Sequence, residues 1–140
     1  MVEVRSRVHR ILKPIQNFRY LPEGSGVPQE FCAGLTLDAS EEALGIYVND
    51  VSTSSRDALL VTTESLYLHR DRSWQRIPYL SIERTVPPLS KSEVTGFTVL
   101  LQDGTEIWLP VRGVRNDRFY DAFEILRFID RVKEDVAPKK

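Results

Sequence analysis

Hydrophobic residues in this chain follow one period near its two ends and another in between. Val4, Val8, Ile11, Leu12 and Ile15 fall at i, i+4, i+7, i+8 and i+11, one face of a helix, with Arg5, His9, Arg10, Lys13 and Gln16 on the others. Pro14 lacks an N–H and clashes with the turn before it, so it is expected to kink or split that helix. The stretch LPEGSGVP then breaks regular structure. Gln29 to Leu37 reads as a short helix ending near Gly34, and Asp38 or Ser40 is suited to cap a helical turn.

From Leu44 the period becomes two. Leu44, Ile46 and Val48 alternate with Gly45, Tyr47 and Asn49, which predicts a half-buried strand. Ala58 to Thr62 predicts a short apolar strand. Leu66 and Leu68 alternate with Tyr67 and His69, and Trp74 to Ile77 follows after a turn. Ser81 to Val86 is a further strand, closed by Pro87 and Pro88. Val94 to Gln102 and Thr105 to Val111 flank Asp103-Gly104, which predicts a hairpin with a two-residue type I′ turn. Pro110 cannot donate to a ladder, so its nitrogen should face solvent or a gap.

The helical period returns near the C-terminus. Asn116 or Asp117 can cap a helix in which Phe119, Phe123, Leu126, Ile129 and Val132 form one stripe, widened by Ile125 and Phe128. The expected core joins Phe119, Phe123 and Leu126 to Leu59, Val61, Leu66, Leu68, Phe97, Val99, Leu101, Ile107 and Leu109. The organisation read from these patterns is an N-terminal amphipathic helical segment, 1–18, a connector, 19–43, and a domain of seven strands and a helix, 44–135.

Those residues resemble the pleckstrin-homology superfamily, in particular its bacterial PH-like and GRAM-like domains. The resemblance lies in Leu60-Val61-Thr62, Leu66-Tyr67-Leu68, and Ile77-Pro78-Tyr79 with Ile82, supported by LQDGTEIWLPV and the closing helix. It implies a mainly β fold: a bent seven-stranded antiparallel barrel or sheet capped by a C-terminal helix, with the N-terminal amphipathic helix added. It also implies that the HRDRS tip projects at the open end. The resemblance does not extend to lipid-binding cations, because VSTSSRD offers only Arg56 between Asp50 and Asp57.

Composition narrows function by exclusion. The 140 residues carry a net charge of -1, so nothing draws the whole chain toward nucleic acid. Charge is segregated, however. Residues 1–20 hold Arg5, Arg7, Arg10, Lys13 and Arg19 against Glu3, and residues 21–58 are acidic. The two stretches either attract each other, within one chain or between copies, or form solvated faces of opposite sign. The single cysteine, Cys32, excludes an intrachain disulfide and reads as a small buried hydrophobe. No apolar run approaches the roughly 20 residues that span a bilayer, and no continuous apolar core follows the basic residues at the N-terminus, so a signal peptide is not expected there and the expected compartment is the cytoplasm.

His9 and His69 lie in no metal-ligand spacing, and no nucleophile or phosphate-loop motif occurs. The adjacent carboxylates in SEEA read as solvent-exposed charge. The expectation is therefore a non-enzymatic protein-interaction or scaffolding module with no cofactor and no metal. The alternatives are a peripheral domain for anionic lipid, or a small immunity or accessory protein. Arg56, Arg70, Arg72, Trp74 and Arg76 are the candidate partner-binding rim, because Arg and Trp dominate binding hot spots. Val4, Val8, Ile11, Leu12 and Ile15 are the candidate surface for docking or self-association. The partner is another protein or peptide, with homo-oligomerisation and weak membrane association as further possibilities.

Overall fold

A computed structural model describes residues 3–24, 26–27, 29–31, 34–49, 57–70, 73–88, 94–115 and 119–136. All seven strands expected from the alternating pattern form: β2 (Ala43–Val48), β3 (Ala58–Thr62), β4 (Ser65–Arg70), β5 (Ser73–Pro78), β6 (Ile82–Val86), β7 (Gly96–Leu101) and β8 (Glu106–Pro110). An eighth, β1 (Phe18–Tyr20), lies at the start of the stretch read as a connector and pairs antiparallel with β2. The strands make two antiparallel sheets, β1-β2-β3-β4-β5 and β6-β7-β8. Among the described residues no ladder joins the sheets, so they do not close into a barrel. A short ribbon, β9 (Val114–Arg115) with β10 (Phe119–Tyr120), leads into helix α2 (Asp121–Val136).

The β7–β8 connection differs from the expected two-residue turn. Leu101 N donates to Thr105 O at 2.8 Å, and Gly104 N donates to Leu101 O at 3.0 Å, which leaves a three-residue loop. Gly104 has φ +89°, the left-handed conformation that closes such loops. Pro110 ends β8 on the open edge. Val111 N bonds to Thr95 O, so alternation turns the Pro110 nitrogen away from β7, where no donor is required.

The main core lies between the two sheets and under α2. Leu59, Val61, Leu66, Leu68 and Ile77 from the first sheet meet Phe97, Val99, Ile107 and Leu109 from the second. Helix α2 contributes Ala122, Ile125, Phe128, Ile129 and Val132. This corrects the expected helix phase: Phe123 and Leu126 pack only half-buried at the flank, and Phe128 occupies the centre, fully enclosed. The side chain of Phe119, and Asn116 and Asp117 with the cap expected of them, lie outside what is described. Asp121 and Glu124 occupy the first turn of α2, where their charge complements the helix dipole.

Strands β2 and β3 and most of β4 are buried on both faces. Leu44 and Tyr47 enter the main core, while Ala43, Ile46 and Val48 enter a second cluster with Ala58, Leu60 and Tyr67. The half-buried strand expected at 44–49 is thus wrong in two respects. Its second face is covered, and a bulge between Ala43 and Gly45 puts Leu44 and Ile46 on opposite sides. The second face is covered by Leu21, Val27, Phe31, Leu35 and Leu37. Within that cover, Gln29–Phe31 forms one 3-10 turn, shorter than the helix expected up to Gly34. Cys32 lies outside the described residues.

The N-terminal segment packs onto its own chain. Helix α1 (Val4–Arg7) runs into a π turn, Val8–Leu12, closed by Lys13 N donating to Val8 O at 2.9 Å, and Pro14 ends the helical segment instead of kinking or splitting it. Val8, Ile11, Leu12 and Ile15 are buried in the main core, with Val4 half-buried beside them. Polar contacts hold the docked segment. Arg7 makes a bidentate bond to Asp135 of α2 at 2.9 and 3.2 Å. Arg5 donates to the Tyr20 hydroxyl and the Leu21 carbonyl, and pairs with Glu42.

Candidate functional site

The expected arginine and tryptophan rim separates in the structure. Arg56 and Arg72 lie outside the described residues. The β4–β5 register places Arg70 opposite Ser73, His69 opposite Trp74 and Tyr67 opposite Arg76. Successive residues alternate faces, so Trp74 and Arg76 share the face covered by residues 21–37, and Arg70 points to the other. Trp74 is half-buried there, its ring 4.7 Å from that of His69. His69 is therefore partly covered rather than a free surface residue.

Arg76 belongs to a polar cluster that the sequence reading placed in solvent. Its Nε donates to Glu41 Oε1 at 3.1 Å, and Glu41 is fully buried despite its SEEA setting. Ser65 and Thr62 hydroxyls each donate to Glu41 Oε2 at 2.6 Å, and the Tyr67 hydroxyl donates to Oε1 at 2.7 Å. Burial alone would raise the Glu41 pKa. The Ser65, Thr62 and Tyr67 bonds, with the Arg76 charge, outweigh it and hold the group down at about 2. The same burial and the neighbouring Glu41 carboxylate push the Tyr67 hydroxyl up.

Asp38 and Glu64 complete a trio of carboxylates with ligand atoms within 4.8 Å of one another. Arg76 Nη2 already stands 3.9 Å from both. Its guanidinium supplies the positive charge this trio requires. Glu41, its buried member, is held ionised by its donors. The arrangement fastens residues 38–42 to β3, β4 and β5, and so fixes the cover over the outer face.

Two concave surfaces among the described residues lie away from this cluster. The first is a groove of about 320 Å³ between β5 and β8, the strands at which the two sheets end. Leu68 and Ile107 lie at its base, with Ser73, Gln75 and Thr105 beside them. Arg70 and Glu106 line it from opposite sheets, and neither makes an ion pair among the described residues. Trp108, 40% exposed, flanks it, its ring lying over Gly96 on the neighbouring strand. At the corner where β5 turns toward β6, Gln102 N donates to Ser81 O at 2.9 Å and extends the β6–β7 ladder by one bond.

The second is a cleft of about 280 Å³ between the N-terminal segment and the start of α2. Arg10, Ile15 and Asn17 form one wall, and Tyr120, Asp121, Phe123 and Glu124 the other. Beneath it the Tyr47 hydroxyl donates to Asp121 Oδ2 at 2.8 Å and accepts from Gly113 N at 3.0 Å. Burial, then the Asp121 charge, raises the Tyr47 pKa and keeps it a donor. A side chain on Gly113 would collide with both Tyr47 and Asp121, so only glycine permits this junction.

Of the candidate residues, the structure brings Val8, Ile11, Leu12 and Ile15 together in the core and leaves Arg70 alone at the groove. Sequence reading missed Glu106 and Trp108 as groove residues and Glu41 as a buried charge. For Trp108 a signal existed: it occupies the outward phase of β8, between buried Ile107 and Leu109. Among the described residues no helix is long and apolar enough to cross a membrane. The chain matches no family model, no curated protein and no solved structure.

Proposed function

We propose that this protein is a non-enzymatic interaction module that captures an extended segment of another protein in the groove between β5 and β8. The observation that carries this reading is the pair of sheet edges beside that groove, which no strand pairs with among the described residues. Edge strands offer free N–H and C=O groups, and an added strand satisfies them while its alternate side chains enter pockets. Arg70, Glu106 and Trp108 provide the residue types that give such a site its charge register and its anchor. Four strands, then three, then a closing helix in β2–β8 and α2 support the PH-like resemblance as the scaffold. The alternative, a peripheral anionic-lipid domain, is less favoured, because the apolar face of the N-terminal segment lies in the core and is not free to insert.

The test uses a panel of extended peptides of about eight residues, alternating Thr and Val with one charged position. Titration followed by amide NMR should shift β5 and β8 resonances and slow their exchange, and Trp108→Ala with Arg70→Glu should abolish the effect. Shifts confined to other elements would reject the groove. Co-sedimentation with phosphatidylserine vesicles, weakening steeply with salt, would favour the lipid alternative.

A further inference from the structure

We propose that the cleft between the N-terminal segment and α2 binds a small zwitterion with an apolar body, of the class of a free apolar amino acid. The inference is independent of the β5–β8 groove. Its first support is charge placement. Arg10 lines one wall and its guanidinium makes no ion pair or hydrogen bond among the described residues, although Glu124 lines the opposite wall. Opposite charges that share a cleft without pairing leave room between them for a ligand carrying both signs. The carboxylate of such a ligand meets Arg10, whose planar fork suits it. Its ammonium meets Glu124, which is committed only to a surface contact with Arg127 at 3.6 Å.

The second support is the apolar surface between the charges. Phe123 is half-buried and Val114 is 48% exposed, so both present apolar surface to the cleft, and Ile15 backs them. A volume of about 280 Å³ suits a ligand at the small end of the range for bound molecules. Asp121, fixed by Tyr47, holds the acidic wall in place. The third support is local backbone. Arg10 sits within the π turn Val8–Leu12, and such turns are rare and gather at functional sites.

The experiment titrates full-length protein with L-leucine and L-phenylalanine, followed by NMR. The expected result is saturable shifts at Val114 and Phe123 with a Kd below about 10 mM. N-acetyl-leucine and leucinamide, each missing one charge, should bind about tenfold more weakly. Arg10→Ala should erase the difference between leucine and leucinamide, and Glu124→Gln that between leucine and N-acetyl-leucine. Arg10→Lys, which keeps the charge, should retain discrimination, and thermal melts should stay unchanged throughout. The proposal is overturned by absent saturation, by equal binding of the blocked forms to the parent, or by Arg10→Ala and Glu124→Gln variants that discriminate as the parent does.

Discussion

The two faces of the five-stranded sheet are buried by different means. The inner face meets a second sheet, a helix and the N-terminal turn, and its core is apolar apart from the hydrogen-bonded hydroxyls of Tyr47 and Tyr79. The outer face is covered by Leu21, Val27, Phe31, Leu35 and Leu37, on chain that, where described, is irregular apart from the turn at Gln29–Phe31 and cannot satisfy its own backbone as a helix or sheet does. That cover is anchored by Glu41, a buried carboxylate with four donors. Apolar packing dominates where regular elements supply shape. Where irregular chain must hold one position, directional bonds fix it. The comparison predicts that the inner face fails through lost volume and the outer face through lost charge.

The largest effect should come from the inner face. Phe128 is wholly enclosed, and Phe128→Ala removes a ring that neighbouring rigid elements cannot refill. The expected loss is about 3–5 kcal/mol, read from urea denaturation. A loss under about 1 kcal/mol would mean that α2 does not sit on this core.

Glu41→Gln probes the outer face next. It removes the ion pair with Arg76 and places an amide donor among hydroxyl donors, with an expected loss of about 3 kcal/mol. The same residue sets a pH dependence. Its folded pKa lies at about 2, below the ordinary 4.5, so its contribution is complete above about pH 4.5 and is lost as pH falls toward 2. The gap corresponds to roughly 3 kcal/mol. Denaturation curves should show the parent losing that much more than Glu41→Gln across this window. Equal acid sensitivity of the two proteins would remove Glu41 as the anchor.

A smaller effect separates the centre of the inner face from its margin. Phe123 lies half-buried at the cleft, and Phe123→Ala should cost about 1–2 kcal/mol, well below Phe128→Ala. Equal losses in urea melts would restore the helix phase expected from sequence.

That phase error shows what sequence could carry. The seven strands β2–β8 were legible because alternation and turn residues act over a few positions. The apolar arc of α2 is wide enough to include both Phe123 and Phe128, and only the surface it meets decides which faces inward. β1 is three residues long, and Gly45 admits the Phe18 ring against its backbone, a contact no local pattern reveals. The N-terminal stripe was readable, but Val8, Ile11 and Leu12 satisfy α and π spacing alike. The Glu41 network joins residues 21 to 35 positions apart, so a local reading of SEEA sends its carboxylate to solvent. The groove depends on where two sheets end, which is a property of topology and not of any one segment.

The smallest predicted effect tests whether every polar atom of the outer face is as well placed as Glu41. The Trp74 Nε1 is buried and has no hydrogen-bond partner among the described residues, while the ring packs on the outer cluster and against His69. A buried donor left unpaired opposes folding by about 1–3 kcal/mol, and loss of part of an indole's apolar area opposes the substitution by a similar amount. Trp74→Phe exchanges one for the other and should change stability by less than about 0.5 kcal/mol. Trp74→Ala keeps the gain but loses the whole ring, so it should be clearly destabilising. Urea denaturation of both variants measures the pair. A large loss in Trp74→Phe would mean that the indole N–H has a partner in solution, and that the outer cover is held by a second directional bond besides those of Glu41.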